Sequence, residues 1–137
     1  MHRPTTVLAS ALALGLAAAA VQAQNQNRGA LEYENSCQAC HGAKAKGDGP
    51  MAAFLTIPVP DLTTIAKRND GRFPVAEVME IIDGRRDVSG HGSPMPVWGR
   101  RYKAEAGDNW GAWEPGAELF ARSRILELTF YLQSIQE

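Results

Sequence analysis

Cys37-Gln38-Ala39-Cys40-His41 is the stretch on which the reading of this chain turns. Two thiols at this spacing can add across the two vinyl groups of a haem, and the histidine that follows can turn its imidazole onto the iron; C-x-x-C-H is the covalent attachment signature. Two cysteines and three histidines scattered over 137 positions would form it by chance about three times in ten thousand. The competing readings fit less well. A redox-active dithiol of the thioredoxin kind belongs in a βαβ setting, and no alternation of strands and helices is legible here. A zinc site would need four ligands from two cysteines and the few histidines. A disulfide is the default for paired cysteines in an oxidising compartment, but the C-x-x-C spacing argues against it. Cys37 and Cys40 are therefore read as the anchors of one haem c, and His41 as an axial ligand of its iron.

The flanking segments read as a helical wrapper for that group. Gly29, Tyr33 and Cys37 recur every four residues and place a small residue and an aromatic on the helix face that leads into the motif. At the other end, Ala121, Ile125, Leu128, Leu132 and Ile135 follow a 4-3-4-3 spacing, the apolar stripe of a terminal helix of about four turns. Gly29 would let the two helices cross closely, with Tyr33 against the stripe. A third helix is expected from Pro74, burying Val75, Val78 and Ile82 before Asp83-Gly84 stops it. A shorter turn is expected at Asp61, a natural N-cap after Pro58 and Pro60. The rest reads as loop, and strand signals are weak throughout. The expected fold is all-α, with N- and C-terminal helices crossing and further short helices and loops wrapped around one haem.

Length and composition agree with a single exported domain. Apolar residues make up 45% and charged residues 21%, with a net charge of −1, which is ordinary for a globular chain and carries no nucleic-acid footprint. The first residues read differently. Arg3 precedes an Ala/Leu-rich run from Val7 to Val21, and Val21-Gln22-Ala23 puts small residues where a signal peptidase cuts. Residues 1–23 are read as a cleaved signal peptide and 24–137 as one domain, exported to the periplasm. The run is short for a spanning helix and rich in weakly apolar alanine, so no membrane span is expected in the mature chain.

The chain resembles the class I (monohaem) bacterial c-type cytochromes. The resemblance is carried by Gly29 and Tyr33 before the motif, by Gly42 and Gly47-Asp48-Gly49-Pro50 after it, and by Pro60-Asp61-Leu62-Thr63. It continues through Gly71, Phe73-Pro74, Met95-Pro96-Val97-Trp98-Gly99 and Tyr131-Leu132. It implies the cytochrome c fold, a haem whose edge reaches the surface, and the carriage of one electron at a time between larger redox enzymes. The chain departs from the simplest members in a longer, Trp-containing segment between Gly99 and Ala117, to which the resemblance assigns no role.

The second axial ligand comes from the far side of the haem. Met79 lies mid-helix beside Val78 and Ile82 and reads as core. Met51 follows Pro50 and reads as packing on the His41 side. Met95, between Pro94 and Pro96 in a Gly-rich loop, can be held rigidly against iron and matches the family's ligand position; His91 in the same loop is the competitor. A ligating histidine donates its other ring N–H to a fixed acceptor, by resemblance the carbonyl of Pro50. Trp98, Tyr102 and Arg72 are the candidate donors to the haem propionates.

With both axial positions filled by protein, oxygen and peroxide find no open site, which favours a carrier over an enzyme. The expected partners are redox proteins (an oxidase, reductase or dehydrogenase) met transiently. The alternatives are a haem enzyme or sensor with a dissociable Met95, or a dedicated electron-transfer subunit of a dehydrogenase docked through an apolar patch around Trp110 and Trp113. Lys44, Lys46, Arg85, Arg86, Arg100, Arg101 and Lys103 flank the motif and the Met95 loop, and would frame the haem edge with a positive rim.

Overall fold

The computed structural model describes residues 28–86, 95–110 and 115–137. Helix α1 spans 28–36 and is followed after one residue by α2 (Gln38–His41), then by α3 (Val75–Asp83), α4 (Trp98–Trp110) and α5 (Pro115–Ser134). Single 3-10 turns stand at Ala52–Phe54, Leu62–Thr64 and Lys67–Asn69. No strand occurs among the described residues, in keeping with the all-α expectation. The leader read at residues 1–23 lies outside them, and no described helix is long and apolar enough to cross a membrane.

The C-terminal stripe organises the core. Ala121, Ile125, Leu128 and Leu132 are all buried, and Ile135 packs partly against them. The helix is longer than its stripe suggested, because Pro115 occupies the first helical position, where a missing N–H costs nothing, and Ala117 adds a further buried position. Thr129 is also buried; its hydroxyl donates to the Ile125 carbonyl at 2.7 Å, so the polar atom is satisfied inside its own helix.

Helix α1 crosses α5 where Gly29 meets Glu127 and Tyr131. A Cβ at Gly29 would overlap the Glu127 carbonyl oxygen and lie 2.7 Å from the Tyr131 Cβ. Next along this face, the Tyr33 and Tyr131 rings pack with centroids 5.4 Å apart. The close crossing expected from Gly29 and Tyr33 is present. Gly29→Ala should therefore destabilise the fold by roughly 1–3 kcal/mol through overpacking, more than the 0.5–1 kcal/mol that alanine returns as helix propensity. A thermal melt measures it, and a melting temperature equal to or above that of the parent would remove the crossing from the argument.

Helix α3 begins one residue later than expected: Pro74 is the cap and Val75 the first helical residue. Val78 and Ile82 are buried while Val75 is half-buried, and Gly84 in the left-handed region (φ 79°) closes the helix with its N–H on Glu80 and Ile81 carbonyls. Asp61 caps the Leu62–Thr64 turn by accepting the Thr63 N–H at 2.8 Å and the Thr63 hydroxyl at 2.6 Å.

The segment from Trp98 to Trp110, expected as loop, is helix α4. Trp98, Tyr102 and Ala106 recur every four residues and all are buried, while Arg100, Arg101, Ala104 and Glu105 face out. A stripe one residue wide is enough here because α4 packs on both α5 and α3. The described part of the extra segment, through Ala106, thus serves as a wall of the core.

Candidate cofactor site

Helix α1 ends by delivering the motif. The Cys37 N–H donates to the Tyr33 carbonyl at 2.8 Å, and the His41 N–H donates to the Cys37 carbonyl at 2.9 Å, so both cysteines and the histidine are fixed by helical backbone. Gly42 then turns the chain with φ 83°, where any side chain would be strained and would collide with the Asp48 carboxylate. Its carbonyl accepts the buried Tyr33 hydroxyl at 2.6 Å, which ties the end of the motif to the α1–α5 crossing. The following loop folds back over α2: Gly47 N–H reaches the His41 carbonyl, Gly49 that of Cys40, and Met51 that of Ala39.

His41 is 8% exposed, and its Nδ1 lies 3.2 Å from the carbonyl oxygen of Pro60. A carbonyl can only accept, so Nδ1 carries the proton and Nε2 the lone pair. The acceptor is Pro60 and not Pro50, which is a correction to the sequence reading. Backbone bonds on either side of it hold the exposed Pro50 against α2, while the rigid Pro58-Val59-Pro60 run passes beside the imidazole. That run, just ahead of the Asp61 cap, was the signal available in the sequence.

Two adjoining lobes, of about 500 and 940 Å³ with the space at their mouths included, meet at Cys37, His41, Pro60, Met95 and Trp98. The first lobe adds Cys40, Ser36 and the apolar segment Leu55 to Val59; the second is roofed by α3 and floored by Leu128 and Leu132 of α5. Apolar walls of this size, with two unpaired thiols and one oriented imidazole on them, fit a haem. Cys37 and Cys40 would hold it through thioethers and His41 through Nε2. When bound, haem supplies a one-electron ferric/ferrous couple.

The remaining sequence candidates separate. Met95 is half-buried against the core and lines both lobes, as does Trp98. Met79 packs on the core from α3 as read, whereas Met51 is 46% exposed and does not pack as expected. His91 and Trp113 lie outside the described residues. Tyr102 is fully buried, and its hydroxyl donates to the Glu32 carboxylate at 2.7 Å, so its proton is engaged away from the cavity wall. Arg72 is exposed and stands off that wall. Arg68, with Asn69 and Glu77, occupies the wall instead; it donates to the Asp61 carbonyl at 2.9 Å and to the Thr64 hydroxyl. Nothing in the spacing distinguishes Arg68 from Arg72, because the difference lies in the 3-10 turn that holds Arg68 and the left-handed bend at Asp70 and Gly71 after it.

The positive rim is largely neutralised. Lys46 pairs with Glu137 (2.6 Å) and Asp61, Arg85 with Asp83 and Glu118, and Arg86 with Glu77 (3.2 Å). Arg101 pairs with Glu105 (3.4 Å) and Lys103 with Glu118 (2.5 Å). Such exposed pairs add little stability, but they cancel the field that would steer a partner.

A family model described as Cytochrome c matches residues 26–111 of this chain. No curated protein and no solved structure matches it at a significant level.

Proposed function

The chain belongs to the cytochrome c family and is a haem-c electron carrier; from that premise we propose that its iron is ligated by His41 and Met95 and that it shuttles single electrons in the periplasm. The observation that carries the ligation is one shared cavity: Met95 lines both lobes beside His41 and Cys37. A thioether is a ligand that raises the potential relative to a second imidazole, as suits a protein that receives electrons from a dehydrogenase or quinol-oxidising complex and passes them to an oxidase or reductase. The partners are redox proteins met transiently. The Ala/Leu-rich run ahead of Ala23 supports export.

The test is the optical spectrum of the purified protein in both oxidation states, followed by addition of carbon monoxide to the ferrous form. A six-coordinate, low-spin spectrum that carbon monoxide leaves unchanged is the result expected of a carrier. Rapid carbon monoxide binding would mean an open or dissociable site, and would move the reading to a haem enzyme or sensor.

A further inference from the structure

Glu32 is the buried acidic residue of α1, and neither the attachment chemistry nor the axial set uses it. It is 7% exposed. Its Oε1 accepts the hydroxyls of Ser36 and Tyr102, both at 2.7 Å, and its Oε2 faces Nη1 of Arg124 at 3.1 Å. Three helices meet at this carboxylate: Ser36 comes from α1, Tyr102 from α4 and Arg124 from α5. Every donor around it is matched to an anion. We propose that Glu32 sets the reduction potential of the haem by holding a negative charge on the inner side of the attachment helix, favouring the ferric state.

Two features separate this from a merely structural cross-link. The first is position. Ser36, which donates to Glu32, lines the haem cavity, and Trp98, which lines it too, lies one turn from Tyr102 with ring centroids 6.0 Å apart. Ser36 thus links the Glu32 carboxylate to the wall of the attachment site through one hydrogen bond. The second is asymmetry within the ion pair. Arg124 is 33% exposed, lies over the Tyr102 and Phe120 rings at 5.4 and 5.1 Å, and is shared with Glu105 at 3.1 Å, itself paired with Arg101. The positive end is therefore partly exposed and divided between two carboxylates, while the negative end is buried, one hydrogen bond from Ser36 on the cavity wall. Charges in a low-dielectric interior act over longer distances than solvated ones. On this proposal the carboxylate outweighs its partly screened counter-ion at the cofactor, and Arg124 offsets only part of its charge. Glu32 does not touch the haem; it acts through the electrostatics of the site.

The proposal rests on the carrier reading only through the covalent haem. Glu32→Gln keeps an acceptor for Ser36 and Tyr102 and removes the charge. At a fixed solution potential its ferric-to-ferrous ratio should fall about tenfold, an upward shift of about 59 mV for one electron, with an unchanged optical spectrum. Tyr102→Phe keeps the charge and should move the ratio much less. Arg124→Gln leaves the carboxylate without its counter-ion and should shift the ratio the opposite way, which provides the test if Glu32→Gln fails to load haem. A potential unchanged in Glu32→Gln, or in Arg124→Gln where that is the variant that folds, overturns the proposal. An axial set other than His41 and Met95 would show in the parent's own spectrum, and the difference between parent and variant would still be readable.

Discussion

A chain with Cys37→Ala and Cys40→Ala together should carry no haem through denaturing electrophoresis, whereas the parent should keep one haem and show its mass. Only two cysteines are present, so no other thioether pair can form. The loss should extend to the fold. The walls contributed by α3, by Leu128 and Leu132 and by the Leu55 to Val59 segment face the cofactor, and without it they face a void or water. Apolar surface left uncovered forfeits roughly 25 cal/mol per Å², so the double variant should melt well below the parent. Haem that stays on the gel in the double variant, or that leaves the parent in acid–acetone, would end the covalent reading.

The parts of this molecule legible in the sequence were those fixed by local chemistry. Gly29 and Tyr33 share a face, and the stripe from Ala121 to Leu132 can bury only one side, so the crossing of α1 and α5 follows from spacing alone. Asp61 and Gly84 announce their caps because side-chain acceptors and positive φ have few substitutes. Helix α4 was hidden because the large or apolar residues buried on its described part are Trp98, Tyr102 and Ala106, set among arginines, lysine and glycine. Its stability comes from α5 and α3, which a local pattern does not record. The errors around the site have the same origin. Pro60 rather than Pro50 meets His41, and Arg68 rather than Arg72 reaches the wall, since loop paths are decided by tertiary contacts. Five of the seven basic residues read as a rim are ion-paired, Lys46 and Lys103 to Glu137 and Glu118, which lie far along the chain, and Arg85, Arg86 and Arg101 also to nearby Asp83, Glu77 and Glu105.

The largest change in potential should come from Met95→Ala. Met95 stands between two prolines, packs on the core and lines both lobes beside His41, so it is the described methionine placed to reach iron. Met51 is exposed, and Met79 lines a different groove, beside Asp83 and Arg122. A thioether donates weakly and favours ferrous iron; water or an imidazole in its place favours ferric iron. Axial ligands move haem potentials across a range of about 0.8 V, so losing one should lower the potential on the order of 0.1 V, more than the buried charge of Glu32 contributes. The Met-to-iron charge-transfer absorption of the oxidised protein should vanish in the same variant. Met51→Ala and Met79→Ala should keep both properties, and so should His91→Ala. If instead His91→Ala removes the sixth ligand while Met95→Ala leaves the spectrum intact, the haem is bis-histidine. Its potential then falls into the lower range of that pairing, and a high-potential oxidase no longer fits as the acceptor.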